Sequence, residues 1–413
     1  MKEEAYMKKI AVLGYGVVGT GLIELIEKNK NKDGEAEVQV ETILVKHKEK
    51  HLNKKLGDKI TDSIEDVFSK EWDILVEVIG GINPAYRYVK KALELGKHVV
   101  TANKDLIAEY GDELFELAKG NRVSLKFEAS VAGGIPIIKP LTESLSGNDI
   151  RSVKGIINGT TNFILSKMYE EGVEYEEALR EAQVLGFAEA NPDSDVLGYD
   201  AARKLAILST LAFKKRVFWK DIEVEGITSI DSKDFAYAKR ANCKIKLLSY
   251  SKKEENKVFA SVKPVLIDSE SDFYRVNNEV NSVIVSGDAV GELVFKGSGA
   301  GMLPTASAVY GDIIDLALNK NSIVINSFSE DKVNIESSLK EKVQSLIRIH
   351  TDNKENLIKE LNVRFLASEF IDIFDNEIGL LVNGYTEGEI EDGLILIKNL
   401  SYVNNVKRIL KVS

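Results

Sequence analysis

Residues Lys9-Ile-Ala-Val-Leu13 form a short apolar, β-rich run that passes directly into Gly14-Tyr15-Gly16-Val17-Val18-Gly19. Behind it, Leu22, Ile23, Leu25 and Ile26 recur at helical spacing as far as Asn29. A strand that turns through Gly-x-Gly-x-x-Gly into a helix commits this region to a βα unit, and the alternation continues. Strands are expected at Val38–Val45, Asp73–Ile79, His98–Val100 and Val123–Phe127, with one helix opened by Pro84 and another ending near Lys119. Strands alternating with helices imply a parallel, doubly wound sheet.

Glycine-rich turns are common, and the motif alone is weak. Its place between a strand and a helix is the context that a dinucleotide fingerprint requires. Gly14 permits the tight turn, Gly16 lets backbone approach a diphosphate, and Gly19 lets helix and strand pack closely. Val17 and Val18 open the helix, whose N-terminus favours phosphate. The second strand ends in Val45-Lys46-His47-Lys48, where an NAD-specific protein usually carries an acid for the ribose 2′-hydroxyl. Cations there suit a 2′-phosphate; they also read as a solvated basic loop.

From Asp149 to about Val294 the pattern changes to strand-like runs (Val153–Ile157, Val258–Val265, Val283–Ser286) beside helices rich in Glu, Ala and Leu. This region reads as an α+β substrate domain. Gly297-Ser-Gly-Ala-Gly301 leads through Pro304 into an apolar helix, Ala306–Leu318, expected to return to the first domain. The last segment reads strand Val343–His350, helix Lys354–Leu361, strands Phe370–Phe374 and Ile378–Val382, helix Glu387–Leu400 and strand Val406–Val412. That βαββαβ order is a ferredoxin-like unit. The expected division is therefore a Rossmann-type domain at 1–145 with a returning helix at 302–320, an α+β substrate domain at 146–301, a polar linker at 321–341, and a ferredoxin-like domain at 342–413.

Composition narrows the partners. The 55 basic and 65 acidic residues leave a net charge of −10, which argues against nucleic acid or an anionic membrane. No apolar run approaches the ~20 residues of a membrane span, and MKEEAYMKK lacks a secretory core. With Cys243 the only cysteine, an intramolecular disulfide is excluded and a reducing cytoplasm is expected. Four scattered histidines (His47, His51, His98, His350) make a zinc site or a His-based triad a poor reading. Acid–base chemistry falls to Lys, Asp or Glu.

Three further segments have bland readings of their own. Glu189-Ala-Asn-Pro-Asp193-Ser-Asp195, followed by Asp200, is an acidic cluster that fails the EF-hand pattern, with Val196 and Ala202 where Gly and Glu are required. Asp200 and Lys204 stand one helical turn apart, which an exposed ion pair worth about 0.3–0.5 kcal/mol explains equally. Asn158-Gly-Thr160-Thr161-Asn162 reads as a turn with a helix cap, and Glu128, before Gly133-Gly134, as a satisfied buried acid.

Together the segments carry more. GYGVVG, Thr101-Ala-Asn-Lys104, EASVAGGIPII (Glu128–Ile138), GIINGTTNFIL (Gly155–Leu165), GFAEANPDSDVLGYDAARKLAIL (Gly186–Leu208) and GSGAGMLPTASAV (Gly297–Val309) resemble the homoserine dehydrogenase family along nearly the full chain. The resemblance implies NAD(P)H-dependent interconversion of L-aspartate 4-semialdehyde and L-homoserine, on the route to threonine and methionine, by a homodimer or homotetramer. By the same resemblance Lys204 is the proton donor with Asp200 beside it, and Glu189 with Gly186 holds the substrate's amino group. Lys104 binds cofactor or substrate, while Gly14, Gly16, Val17, Val18, Gly19, Lys46 and Gly301 serve NADP(H) or NAD(H). Glu128 and the carbonyls of Val131, Gly133 and Ile135 match a site for Na⁺ or K⁺, hard oxygen donors of low total charge.

Two departures stand out. Asn191 replaces the family's Asp before Pro192. In the C-terminal unit, which resembles an ACT domain, Glu355 and Asn356 occupy the place of a Pro-Gly pair near which effector amino acids bind. A domain kept for assembly, with threonine inhibition absent or millimolar, is expected. No kinase-sized segment precedes Gly14, so an aspartate kinase fusion is not expected. Two competing readings are an NAD(P)-dependent oxidoreductase acting on another amino-acid-derived carbonyl, and a nucleotide sensor with an amino-acid-binding ACT unit. The first leaves Glu189, Asp200 and Lys204 to coincidence; the second predicts loss of the lysine, and Lys204 is present.

Overall fold

The computed structural model describes residues 7–30, 38–255, 257–318, 335–336, 342–366 and 368–412. The chain groups into two compact units, one of residues 1–153, 203–219 and 281–333, the other of residues 154–202, 220–280 and 334–413.

In the first unit six strands form one sheet in the order Ile60–Thr61, Val38–Leu44, Lys8–Leu13, Ile74–Glu77, His98–Thr101, Leu125–Lys126. Every neighbouring pair is parallel. In chain order this is 3-2-1-4-5-6, the arrangement of dinucleotide-binding sheets. Ile10, Ala11, Val12 and Leu13 are all fully buried, which is why the central strand reads as an unbroken apolar run and not as an alternation. The edge strand Ile60–Thr61 and the helix Ile64–Ser69 were not among the sequence expectations: two and six residues are too short to show a period. Helix Met302–Ala317 lies against helix Val17–Asn29, so closely at Gly21 that a Cβ there would stand 2.8 Å from the Met302 carbonyl oxygen. Ala306, Val309, Ile313 and Leu316 thereby join Ile10, Val12, Leu22 and Ile23 in one core.

The second unit is organised by a long antiparallel hairpin, Cys243–Glu254 with Lys257–Asp268, paired residue for residue from Lys257↔Glu254 to Asp268↔Cys243. Cys243–Glu254 carries four lysines and gives no strand signal of its own. Tertiary pairing decides it. Lys246, in this strand, is buried and donates to Asn162 Oδ1 (2.9 Å), Ser166 Oγ (3.2 Å), the Val276 carbonyl (2.7 Å) and Asn277 Oδ1 (3.3 Å). These acceptors are all uncharged, and burial pulls the ammonium pKa down to about 7.

The C-terminal elements are strand Lys342–Thr351, helix Lys354–Arg364, strands Glu369–Phe374 and Glu377–Thr386, helix Glu387–Lys398 and strand Val403–Val412. This is the expected βαββαβ order, and its four strands lie in the ferredoxin-like 4-1-3-2 sequence. Its last strand also pairs in parallel with the hairpin, Leu410–Val412 against Val265–Ile267, so hairpin and C-terminal strands share one sheet. Within the expected linker 321–341, only Ile335–Glu336 is described; it pairs in parallel with Val258–Phe259, and the rest lies outside the described residues.

A buried charge network ties the C-terminal strands to helix Ser232–Arg240. Arg348 donates through Nε and Nη2 to both oxygens of Glu377, at 3.0 and 3.2 Å. Its Nη1 donates to Asp231 at 2.8 Å and to Asp234, which also takes Lys407. Asp231 and Asp234 close a capping box at that helix's start. Burial acts to raise the Glu377 pKa, and Arg348 outweighs it, leaving the carboxyl below its ordinary value. Beside the network Gly379 admits the Tyr237 ring: a Cβ would stand 2.5 Å from Tyr237 Cε1.

Candidate active site

In the first unit, the turn after strand Lys8–Leu13 is built as its glycines require. Gly14 has φ +112°, and a Cβ there would stand 2.8 Å from the Val78 carbonyl oxygen; one on Gly19 would lie 2.2 Å from the Gly14 oxygen. Above Gly16 the space is open. Gly16 caps helix Val17–Asn29 with no side-chain hydrogen bond, and no acid lies in the first turn. The first N–H groups are therefore available to an anion, so the turn fits the diphosphate of a dinucleotide. Tyr15 is clamped below: its hydroxyl donates to the Lys55 carbonyl (2.9 Å), its ring stacks on His51, and Lys54 lies over that ring. Lys46 and Lys48 are exposed beyond the second strand.

In the second unit, Asn158 collects the acids. As N-cap of helix Gly159–Glu171 its Oδ1 accepts the Thr161 N–H at 2.8 Å, while Nδ2 donates to Asp195 Oδ1 at 2.7 Å and Asp200 Oδ2 at 2.9 Å. Thr160 donates to the Phe187 carbonyl at 2.6 Å, which holds the turn after Gly186 (φ +79°) against the same helix start. Glu189 is exposed in that turn, and Gln183 donates to its carbonyl at 3.1 Å. Asn191 Oδ1 accepts the Asp193 N–H at 3.2 Å, a bond that Asp would make equally well, so this departure leaves the loop intact. Asp200 is buried at the start of helix Tyr199–Phe213; the half-buried Lys204, one turn further along the same helix, falls within residues 203–219 of the first unit. Asn158, Thr160 and Asp195 carry no functional signal of their own in the sequence, where the first two read as a turn with a helix cap and the third as part of an acidic cluster.

A sequence model described as "Homoserine dehydrogenase, NAD binding domain" matches residues 14–128, and one described as "Homoserine dehydrogenase" matches residues 136–314. The homoserine dehydrogenase of Bacillus subtilis is 40% identical over 387 residues, 92% of this chain and 89% of that protein. The chain belongs to the homoserine dehydrogenase family. It is an NAD(P)-dependent oxidoreductase that interconverts L-aspartate 4-semialdehyde and L-homoserine. The Neisseria gonorrhoeae homoserine dehydrogenase is 44% identical over 75% of this chain and 72% of its own length. Among solved structures, that of a homoserine dehydrogenase from Thiobacillus denitrificans superposes with a TM-score of 0.90 at 34% identity, covering 99% of both chains. A hyperthermophilic archaeal homoserine dehydrogenase solved in complex with NADPH superposes with a TM-score of 0.66 at 31% identity, over 76% of this chain and 98% of that one.

The remaining residues expected in a homoserine dehydrogenase site lie in the first unit. Lys104 is the first residue of helix Lys104–Gly120 and is half-buried. Gly301 (φ +118°) caps helix Met302–Ala317. The two glycine-rich turns abut: Gly134 N–H donates to the Ser298 carbonyl at 3.1 Å, and a Cβ on Gly133 would stand 2.5 Å from the Gly299 oxygen. Glu128 is buried, and its carboxylate accepts the N–H groups of Ile137 (2.6 Å), Ile138 (2.8 Å) and Lys139 (2.8 Å), while its own N–H donates to Asp312. Three donors leave one of the carboxylate's roughly four acceptor positions. Among the described residues the carbonyls of Val131, Gly133 and Ile135 accept no hydrogen bond. That donor set fits a monovalent cation, and among the described residues no group of three or more His, Cys, Asp or Glu side chains is arranged to hold a metal ion. No helix among them is long and apolar enough to cross a membrane.

Proposed function

We propose that Lys204 is the proton donor in the reduction of L-aspartate 4-semialdehyde, with Asp200 orienting it and Glu189 and Gly186 holding the substrate's amino group. The observation that carries this reading is the anchoring of Asp200. A buried acid one turn before Lys204 is fixed by Asn158, which also fixes Asp195. A nicotinamide cofactor bound at Gly14, Gly16, Val17, Val18 and Gly19, with Lys104 and Gly301, supplies the hydride. As the aldehyde oxygen gains charge, the Lys204 ammonium stabilises and then protonates it. In the oxidative direction the neutral amine takes the proton back from the homoserine hydroxyl. The product feeds threonine and methionine synthesis in a reducing cytoplasm.

NADPH is accepted at least as well as NADH, because Lys46 and Lys48 stand where an acid would repel a 2′-phosphate. Steady-state rates with L-aspartate 4-semialdehyde, measured with each cofactor and beside a panel of other carbonyl substrates, test this. Neutralising both lysines is expected to raise KM for NADPH by several-fold and leave that for NADH near wild type. Equal effects on the two cofactors would make the lysines a surface loop only.

Glu128 and the carbonyls of Val131, Gly133 and Ile135 hold Na⁺ or K⁺, which fixes the turn beside Gly297–Gly301. The C-terminal ACT-like segment serves assembly into a homodimer or homotetramer and responds weakly to threonine. At its first helix one N-terminal amide is already engaged: Asn353 Oδ1 accepts the Asn356 N–H at 3.1 Å, and Glu355 brings negative charge to a place that would receive a carboxylate. Lys354 is held by Asp372 (2.6 Å) and the Phe374 carbonyl. Rates in matched sodium, potassium and choline buffers, each titrated with threonine, are expected to depend on the cation and to stay flat below millimolar threonine. Indifference to the cation would count against the first assignment, and inhibition at micromolar threonine against the second.

A further inference from the structure

The first unit contains a buried acid that no role above uses. Glu77 ends strand Ile74–Glu77 and is fully buried, as is Thr101 at the end of the adjacent strand His98–Thr101. Glu77 Oε1 accepts the N–H groups of Ile79 (2.9 Å) and Gly80 (3.1 Å), and Oε2 accepts the Thr101 hydroxyl (2.5 Å). Thr101 Oγ accepts the Asn103 N–H at 3.0 Å. Asn103 then caps the next helix by accepting the Leu106 N–H (3.1 Å), and its Nδ2 donates to the Gly81 carbonyl at 2.6 Å. The network closes on itself. It joins the turn Ile79-Gly80-Gly81 to the helix start that carries Lys104.

An apolar side chain would fill this site without desolvating a charge. Burial does push the Glu77 carboxyl above its ordinary value, against hydrogen bonds that favour the charged form. What the carboxylate adds is a fixed distance between two loops at the carboxyl ends of adjacent strands. Those ends are where open α/β sheets bind ligands. The Gly14–Gly19 turn and Lys46 follow the first and second strands and so belong to the diphosphate and adenosine side. Strands Ile74–Glu77, His98–Thr101 and Leu125–Lys126 form the second mononucleotide-binding half, left for the nicotinamide. Gly80 (φ +74°) and Gly81 (φ +69°) have open space where a Cβ would stand, so their backbone is accessible to a ligand.

We propose that Glu77 is a positioning residue for the nicotinamide half of the cofactor, fixing the Gly80-Gly81 backbone and the Lys104 helix start relative to each other through Thr101 and Asn103. The proposal rests on the dinucleotide-binding reading of this unit, and two ligands separate the two claims. NADPH carries the nicotinamide; 2′-phospho-ADP-ribose carries only the adenosine and diphosphate. Thr101→Val removes the hydroxyl at nearly constant volume, Thr101→Ser restores it, and Glu77→Gln removes the charge.

In fluorescence titrations, Thr101→Val and Glu77→Gln are expected to bind NADPH about tenfold more weakly, the scale of a lost hydrogen bond to a charged group. In competition, 2′-phospho-ADP-ribose should bind both variants as it binds wild type, and Thr101→Ser should stay within about twofold for NADPH. Equal weakening of both ligands would reduce Glu77 to a general support of the fold, and unchanged NADPH affinity would remove it from the site; either overturns the proposal. Wild-type protein that binds NADPH but not 2′-phospho-ADP-ribose would overturn the underlying placement of the two halves.

Discussion

Replacing Lys204 with alanine is expected to lower kcat by about a hundredfold or more while NADPH binding, followed by fluorescence titration, stays near wild type. A hundredfold corresponds to about 2.7 kcal/mol of transition-state stabilisation, the low end for a general acid that also meets developing negative charge. The split matters because Lys204 lies on helix Tyr199–Phe213, away from the Gly14–Gly19 turn in sequence, so a loss of nucleotide affinity would mean that the helix itself had shifted. Asp200→Asn offers an internal comparison. The amide keeps an oxygen for the Asn158 Nδ2 donor but removes the charge beside the lysine, so its kcat should fall less than that of Lys204→Ala, with the pH profile displaced. A Lys204→Ala variant that retains most of its kcat would end the assignment.

Arg348→Met should cost about 3–5 kcal/mol of stability, the usual result of breaking a buried ion pair from one side. Methionine keeps most of the stem's volume but leaves Asp234, which is wholly buried, and Glu377 without the guanidinium that both carboxylates share. Lys407 and Lys233 remain near them, which holds the loss below that of a fully orphaned pair. Urea denaturation at pH 7 measures the change. The double variant Arg348→Met with Glu377→Gln should recover part of it, since one of the stranded charges is gone. A loss under about 1 kcal/mol would show that water reaches the site and screens it as at a surface. Because the network joins Arg348 and Glu377 to helix Ser232–Arg240, this variant also asks how firmly the C-terminal strands are held within their unit.

The parallel sheet and the βαββαβ segment were legible because their elements are either continuous apolar runs or clean alternations bounded by turn residues. The hairpin Cys243–Glu254 with Lys257–Asp268 was only half legible. Lysines dominate the exposed positions of its first strand, and Lys246 points inward, where Asn162, Ser166, Val276 and Asn277 receive it. A buried lysine satisfied by neutral acceptors distant in sequence leaves no trace in a hydropathy pattern. The same holds for Glu128. In the sequence it reads as a satisfied buried acid and, by family resemblance, as a cation ligand, yet the three backbone N–H groups that it gathers belong to Ile137, Ile138 and Lys139, which no spacing rule connects to it.

The sequence by itself determined the strand–glycine–helix turn, the alternation that makes a parallel sheet, and the helical spacing that sets Asp200 one turn before Lys204. These are local matters: backbone sterics at glycine, side-chain periodicity and hydrophobic patterning act over fewer than about twenty residues. Only the tertiary structure decided that Asn158 would bind Asp195 and Asp200 together, that Thr101 and Asn103 would close a ring on Glu77, and that Arg348 would meet Asp231, Asp234 and Glu377. At the centre of each stands a buried polar group, Asn158, Glu77 or Arg348, and such a group must find a partner wherever the fold brings one. Which partner it finds depends on packing between segments that are distant in the chain.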